Sequence, residues 1–347
     1  MINNLRHIFS YMPLLFMKKI LFVITILINF QAISQVHLRN KSTLSNEYAW
    51  AKKIVEVENS IWPFNISSIG NSMQSYQQYG YSSAYWHDGL DMRSDAGTHV
   101  YSSVAGKVVN IENYYPGNAL YWEVAILDDN GYVWKYHHVD HQTIPEKIRQ
   151  ALQNHARIEQ GEYIGDIVSW PQSSNGERFH HIHMLVVDGK GRYINPFILL
   201  PKLTDTSLPV IREIGLFDSR KKKIKGNSIS GKHGIYVNTF DTILHSKFYL
   251  TPYMITYKLD GGDEKTVWRF DTLPSLTNDR DYLNDFYLAG TCGNYQCRNF
   301  YINLNFDLST PGNTQFFKLS PGEHQVEVFV YDFVGNVTKQ NYLYTVK

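Results

Sequence analysis

The sequence predicts an all-β protein built from two successive β-rich domains. Three observations predict it. Short runs rich in Val, Ile and Tyr recur along the chain, each bounded by Gly, Asn or Asp turn chemistry. Helical spacing of apolar residues is confined to a few brief stretches. At 347 residues the chain exceeds one typical domain. Hydrophobic residues make up 43% and charged residues 19%, enough apolar material for real cores.

The first 34 residues read as a removable leader rather than as fold. Lys18 and Lys19 precede the apolar run Ile20–Phe30, and small residues follow at Ala32 and Ser34. This is the pattern of a secretory signal peptide, with cleavage expected after Ser34. The run is shorter than the ~20 residues of a membrane-spanning helix, so no stable membrane span is expected after cleavage. Met17 is an alternative translation start. The mature protein is expected to be periplasmic or secreted.

Residues 35–60 form a lead segment with a helical pattern around Glu47–Glu58. Residues 61–203 read as the first domain. Its expected strands include His99–Glu112, Ala119–Asp128, Tyr132–Val139 and His181–Asp188. One helix is expected at Pro145–His155, where Ile148, Ala151 and Leu152 share a face. Pro145 suits a first helical turn. Leu203–Leu208 reads as a linker. In residues 204–347, Gly234–Thr239, Phe248–Leu259, Asn299–Phe306 and His324–Tyr331 alternate apolar and polar residues, as strands of a β-sandwich would.

Charge narrows the partners. The formal net charge is +1, and the leader holds Arg6, Lys18 and Lys19 with no acid. Removing it leaves a slightly acidic chain, which argues against nucleic acid as a partner. One basic run, Arg220 to Lys223 with Lys225, reads as a solvated loop. Cys292 and Cys297 alone are a poor zinc signal, but in an oxidising compartment they are suited to close a small disulfide loop.

Three histidine clusters carry the chemistry: His87-Asp88-Gly89-Leu90-Asp91, Tyr136-His137-His138 and His180-His181-Ile182-His183. His181 and His183 sit two apart on an expected strand, so they share a face. Two imidazoles on one face need water, a metal or a polar partner. His87 and Asp91 add a nitrogen and a carboxylate. His87, Asp91 and His183 together make a three-ligand site for one zinc ion, with the fourth position open. No HExxH motif supplies a glutamate base. His138 and His181 remain as proton handlers. His137, His141 and His180 read as ordinary satisfied polar residues, with support of the metal ligands from behind as the alternative.

The order HxxxD, YxH, HxH resembles the M23 peptidases, the LytM or lysostaphin-type endopeptidases. Gly97-Thr98-His99-Val100, Ala105-Gly106-Lys107-Val108, Gln160 to Gly165 and Asn195-Pro196 are similar to further stretches of that family. The resemblance covers roughly residues 61–200. It implies an M23-like β-sheet peptidase domain, followed here by a sandwich that is immunoglobulin-like in pattern. It also implies zinc on His87, Asp91 and His183, with His138 and His181 acting in catalysis. The implied substrate is the peptide of peptidoglycan stems or cross-bridges. The bulky, charged approach Ser173–Phe179 departs from the family's small-residue loop. Two rival readings are a non-enzymatic cell-wall-binding regulator of another hydrolase, and a peptidase acting on extracellular protein. The C-terminal domain is expected either to dock substrate or a cell-envelope protein partner, or only to pack beside the catalytic unit.

Overall fold

The structure is a computed structural model. It describes residues 60–66, 72–75, 86–174, 176–202, 204–242, 248–273, 280–288, 301–306 and 314–347. The leader, the helical pattern at 47–58 and both cysteines lie outside the described residues.

Thirteen strands occupy the first half among these residues. They are β1 (Ser72–Gln74), β2 (Leu90–Arg93), β3 (His99–Tyr101), β4 (Gly106–Asn113), β5 (Trp122–Leu127), β6 (Val133–His137) and β7 (Val139–Asp140), then β8 (Arg157–Ile158), β9 (Tyr163–Ile167), β10 (Ser173–Ser174), β11 (Glu177–Arg178), β12 (His181–Val187) and β13 (Tyr193–Ile194). The main sheet runs β1-β2-β12-β6-β5-β4-β8, and β3-β9-β7 form a smaller one. Helix α1 (Glu146–Gln153) starts after Pro145, as expected, and buries Ile148 and Ala151. Its four-residue successor α2 (Pro196–Leu199) is capped by the Asn195 side chain, which accepts from the Phe197 N–H.

Two expected strands are each split. His99–Glu112 divides between the two sheets as β3 and β4. Tyr132–Val139 breaks after His137 because His138 adopts φ +67°, a left-handed conformation that interrupts the pleat. One face of the main sheet is the core. Leu90, Met92, Val124, Trp134, Tyr136, Ile182 and Met184 pack there, all fully buried. The opposite face carries the polar residues.

In the second half are β14 (Val210–Asp218), β15 (Ser228–Ile229), β16 (His233–Thr242), β17 (Tyr249–Leu250), β18 (Met254–Leu259), β19 (Lys265–Arg269), β20 (Thr272–Leu273), α3 (Arg280–Phe286), β21 (Tyr301–Asn303), β22 (Gly322–Tyr331) and β23 (Val337–Val346). One sheet is β14-β16-β17 with β21 beside β16, and the other is β15-β23-β22-β18-β19. Their inner residues, such as Leu216, Ile235 and Val237 against Ile255, Val328 and Val330, share one core, which makes a sandwich.

The two halves are joined by more than the 204–208 segment. Strand β20 pairs with β13 and so extends the main sheet. The Asn195 side chain donates to the Phe270 carbonyl at 2.8 Å. Trp86, one residue before His87, is buried in the sandwich core and stacks on Trp268 at 5.4 Å. The described residues of both halves belong to one compact unit.

Candidate metal centre

Strand register builds the site. In β12, His183 lies opposite Asp91 of β2 on one side and His137 of β6 on the other. His137 in turn faces Glu123 of β5. Directly opposed residues share a face, so Asp91, His183, His137 and Glu123 form one polar row across four strands. His181 projects to the same face two residues along β12. The left-handed turn at His138 brings a fourth imidazole to this face. A regular strand would have sent His138 away from His137.

Three donor atoms converge. His183 Nδ1 is 3.0 Å from His87 Nε2 and 2.9 Å from Asp91 Oδ1, and His87 Nε2 is 3.1 Å from Asp91 Oδ1. A tetrahedral zinc with bonds of ~2.0–2.1 Å has donor–donor edges of about 3.4 Å, so this triangle is close to one face of such a site. All three residues are buried.

Tautomers sharpen the fit. A carbonyl only accepts, so His87 Nδ1–H donates to the Ser75 carbonyl at 3.0 Å. His87 Nε2 then faces Asp91 with a lone pair, and two acceptors meet. The same device recurs nearby. His138 Nδ1–H donates to the Leu120 carbonyl and His181 Nδ1–H to the Phe179 carbonyl, each at 2.7 Å. Their Nε2 atoms are left as bases. The rings of His138 and His181 lie 4.6 Å apart, and His181 Nε2 is 3.8 Å from Asp91 Oδ1.

Electrostatics favour a cation at the triangle. Burial alone would raise the Asp91 carboxyl, but His87, His181 and His183 outweigh it and hold it well below the usual carboxylate range. Burial alone would lower His183, but Asp88 and Asp91 push it up to about 10. Positive charge is therefore stabilised where the donors meet. Burial pushes His138 well below its ordinary value, aided by His181, His183 and His137. His181 is also lowered by burial, against the pull of Asp91. Both are neutral bases at pH 7.

All five expected residues are thus in one place. Others at the site had no assigned role in the sequence. Glu123 takes hydrogen bonds from His137 at 2.7 Å, Lys135 at 3.0 Å and Asn110 at 2.9 Å. Tyr114 packs its ring 4.2 Å from that of His137. Trp170 packs 4.7 Å from His138 and 5.1 Å from His181. Asp88 meets His183. His141 instead stacks on Trp122, and His180 Nδ1 accepts from the Trp170 N–H. In the divergent approach to His181, Phe179 is buried against Phe248 and beside Trp170.

The model of peptidase family M23 matches residues 66–196. This bears out the resemblance over nearly the span the motifs marked. Among solved structures, the chain is similar to a zinc-containing peptidase from Vibrio cholerae, at 17% identity and a TM-score of 0.31, covering 43% of this chain and 41% of that one. It is similar to the catalytic domain of the prophage-encoded M23 protein EnpA from Enterococcus faecalis, at 20% identity and a TM-score of 0.29, covering 39% and 94%. A third is the catalytic domain of lysostaphin from Staphylococcus simulans, at 19% identity and a TM-score of 0.21, covering 42% and 84%. The chain spans less than half the length of the Vibrio structure. No curated protein matches it.

Proposed function

We propose that the protein is a secreted or periplasmic zinc endopeptidase that hydrolyses peptide bonds of peptidoglycan stems or cross-bridges. The match of residues 66–196 to peptidase family M23 supports the peptidase class. The reading rests chiefly on the convergence of His87 Nε2, Asp91 Oδ1 and His183 Nδ1 within 3.1 Å of one another. These atoms would hold one zinc ion. When bound, zinc supplies Lewis-acid polarisation and activates water near neutral pH.

The chain's own residues supply proton handling. His138 and His181 present Nε2 lone pairs while backbone carbonyls hold their Nδ1 protons. Either imidazole can take the proton of the attacking water, and the resulting imidazolium can stabilise the oxyanion and protonate the leaving amine. The aromatic wall of Trp170, Phe179 and Tyr121 beside these rings keeps them dry and so keeps them neutral. The second half, residues 204–347, would act as an accessory domain that docks substrate or a cell-envelope partner. Among the described residues no helix is long and apolar enough to cross a membrane.

The test is digestion of purified sacculi by the zinc-loaded full chain, with mass spectrometry of the released fragments. New amino and carboxyl termini within the stem or cross-bridge support the proposal. Intact muropeptides, with cleavage found only in a panel of extracellular proteins, would move the substrate to protein.

A further inference from the structure

Among the three expected ligands and two expected proton handlers, every imidazole except that of His183 is held by backbone. His87, His138 and His181 each give a ring proton to a carbonyl, of Ser75, Leu120 and Phe179 respectively. His183 Nε2 instead meets Asp88 Oδ1 at 3.2 Å. The two edges of this ring face opposite ways. Nδ1 looks toward His87 and Asp91, and Nε2 looks toward Asp88. Asp88 is therefore on the wrong side of the imidazole to share the triangle of donors.

We propose that Asp88 is the positioning residue of the metal centre: it accepts the His183 Nε2–H, fixes the tautomer that leaves Nδ1 as a donor, and adds the second negative charge that balances a divalent cation. The inference rests on the zinc reading above. A carboxylate behind a ligating imidazole locks the ring and raises its basicity. Here the carboxylate comes from within the ligand motif itself, between His87 and Asp91. Its backbone is held close by Gly89. A Cβ at Gly89 would lie 2.4 Å from the Met184 carbonyl oxygen and 2.9 Å from His183 Nε2. Only glycine lets the Asp88 segment approach the ring this closely. The side chains of His183 and Asp88 are 10% and 22% exposed, so the contact is shielded from bulk water.

The experiment is competitive zinc titration of the metal-free full chain against a chromophoric chelator, for wild type, Asp88→Asn and Asp88→Ala. Circular dichroism confirms that each apo-protein is folded, and the near-isosteric Asn variant guards against misfolding of the Ala variant. Asn keeps an acceptor but loses the charge, and Ala loses both. Zinc affinity is expected to fall about 10-fold in Asp88→Asn and about 100-fold in Asp88→Ala, the range for such outer partners. The visible absorption of the cobalt-substituted protein should change in Asp88→Ala, because the freed ring no longer holds its direction. Wild-type affinity and an unchanged cobalt spectrum in Asp88→Ala would overturn this inference alone. Failure of the wild type to bind zinc would overturn the metal reading, and this inference with it.

Discussion

The imidazoles of His138 and His181 lie 4.6 Å apart, and each gives its Nδ1 proton to a backbone carbonyl. Both therefore present a basic Nε2 to the same space. His138→Ala and His181→Ala should each lower hydrolysis by about 10²–10⁴-fold. Zinc content should be retained, since neither belongs to the converging triangle. Burial lowers both pKa values, so the base form persists below the ordinary histidine value of about 6.5. Activity should hold from neutral pH down past that point and then fall as the imidazoles protonate. That places the acid limb lower than the apparent pKa of 6–7 expected of an ordinary histidine base. A pH–rate profile checks this, and an acid limb centred at or above about 6.5 would contradict it.

Glu123 links the site to stability in acid. Burial opposes its charge, but His137, Lys135 and Asn110 outweigh burial and lower it to about 2. His137 is itself pushed down by burial, so at neutral pH it serves Glu123 as a neutral N–H donor. The standing positive charge comes from Lys135. A depressed carboxyl stabilises the fold above its unfolded pKa of about 4.3, and that stabilisation is lost as pH falls toward about 2. It amounts to about 2–3 kcal/mol. Glu123→Gln should flatten the acid limb of stability between pH 4.5 and 2, measured by urea denaturation. A variant with the wild-type slope would contradict this.

Gly89→Ala should damage both fold and metal binding. The added Cβ would press on backbone at Met184 and on the His183 ring. Overpacking of this kind costs about 1–3 kcal/mol. The melting temperature and zinc affinity should fall together. An unchanged pair of values would show that β2 and β12 can separate freely.

Removing residues 205–347 should not leave an intact first half. Trp86 loses its stack on Trp268, and β13 loses its partner β20. Exposing one buried tryptophan alone costs about 3 kcal/mol or more. The truncated chain should melt lower and bind a hydrophobic dye. A truncated chain with the full-length melting temperature would show that the halves fold independently.

Much of the site was legible because its chemistry is local in sequence. His87 and Asp91 are four apart, and His181 and His183 are two apart on a strand, so spacing alone groups them. Glu123, Tyr114 and Trp170 were not legible. They reach the site through strand register and loop packing, which spacing along one segment does not encode. His137 reads as an ordinary polar residue because a lone histidine on a strand is usually satisfied by its neighbours, and strand alternation would set His138 on the other face. The left-handed φ of His138 cancels that alternation, and no residue type at 138 announces it. Asp88 stood in plain view within the ligand motif, but its role depends on which edge of His183 it meets. Similarly, the segment 204–208 reads as a linker, while Trp86 and Asn195 show how firmly the halves are joined.

The most direct test of the central claim is anomalous diffraction at the zinc edge from crystals of the zinc-loaded full chain. The account predicts one strong peak within bonding distance of His87 Nε2, Asp91 Oδ1 and His183 Nδ1, with His138 and His181 beside it but not ligating. A peak elsewhere, or none at this triangle, would contradict it.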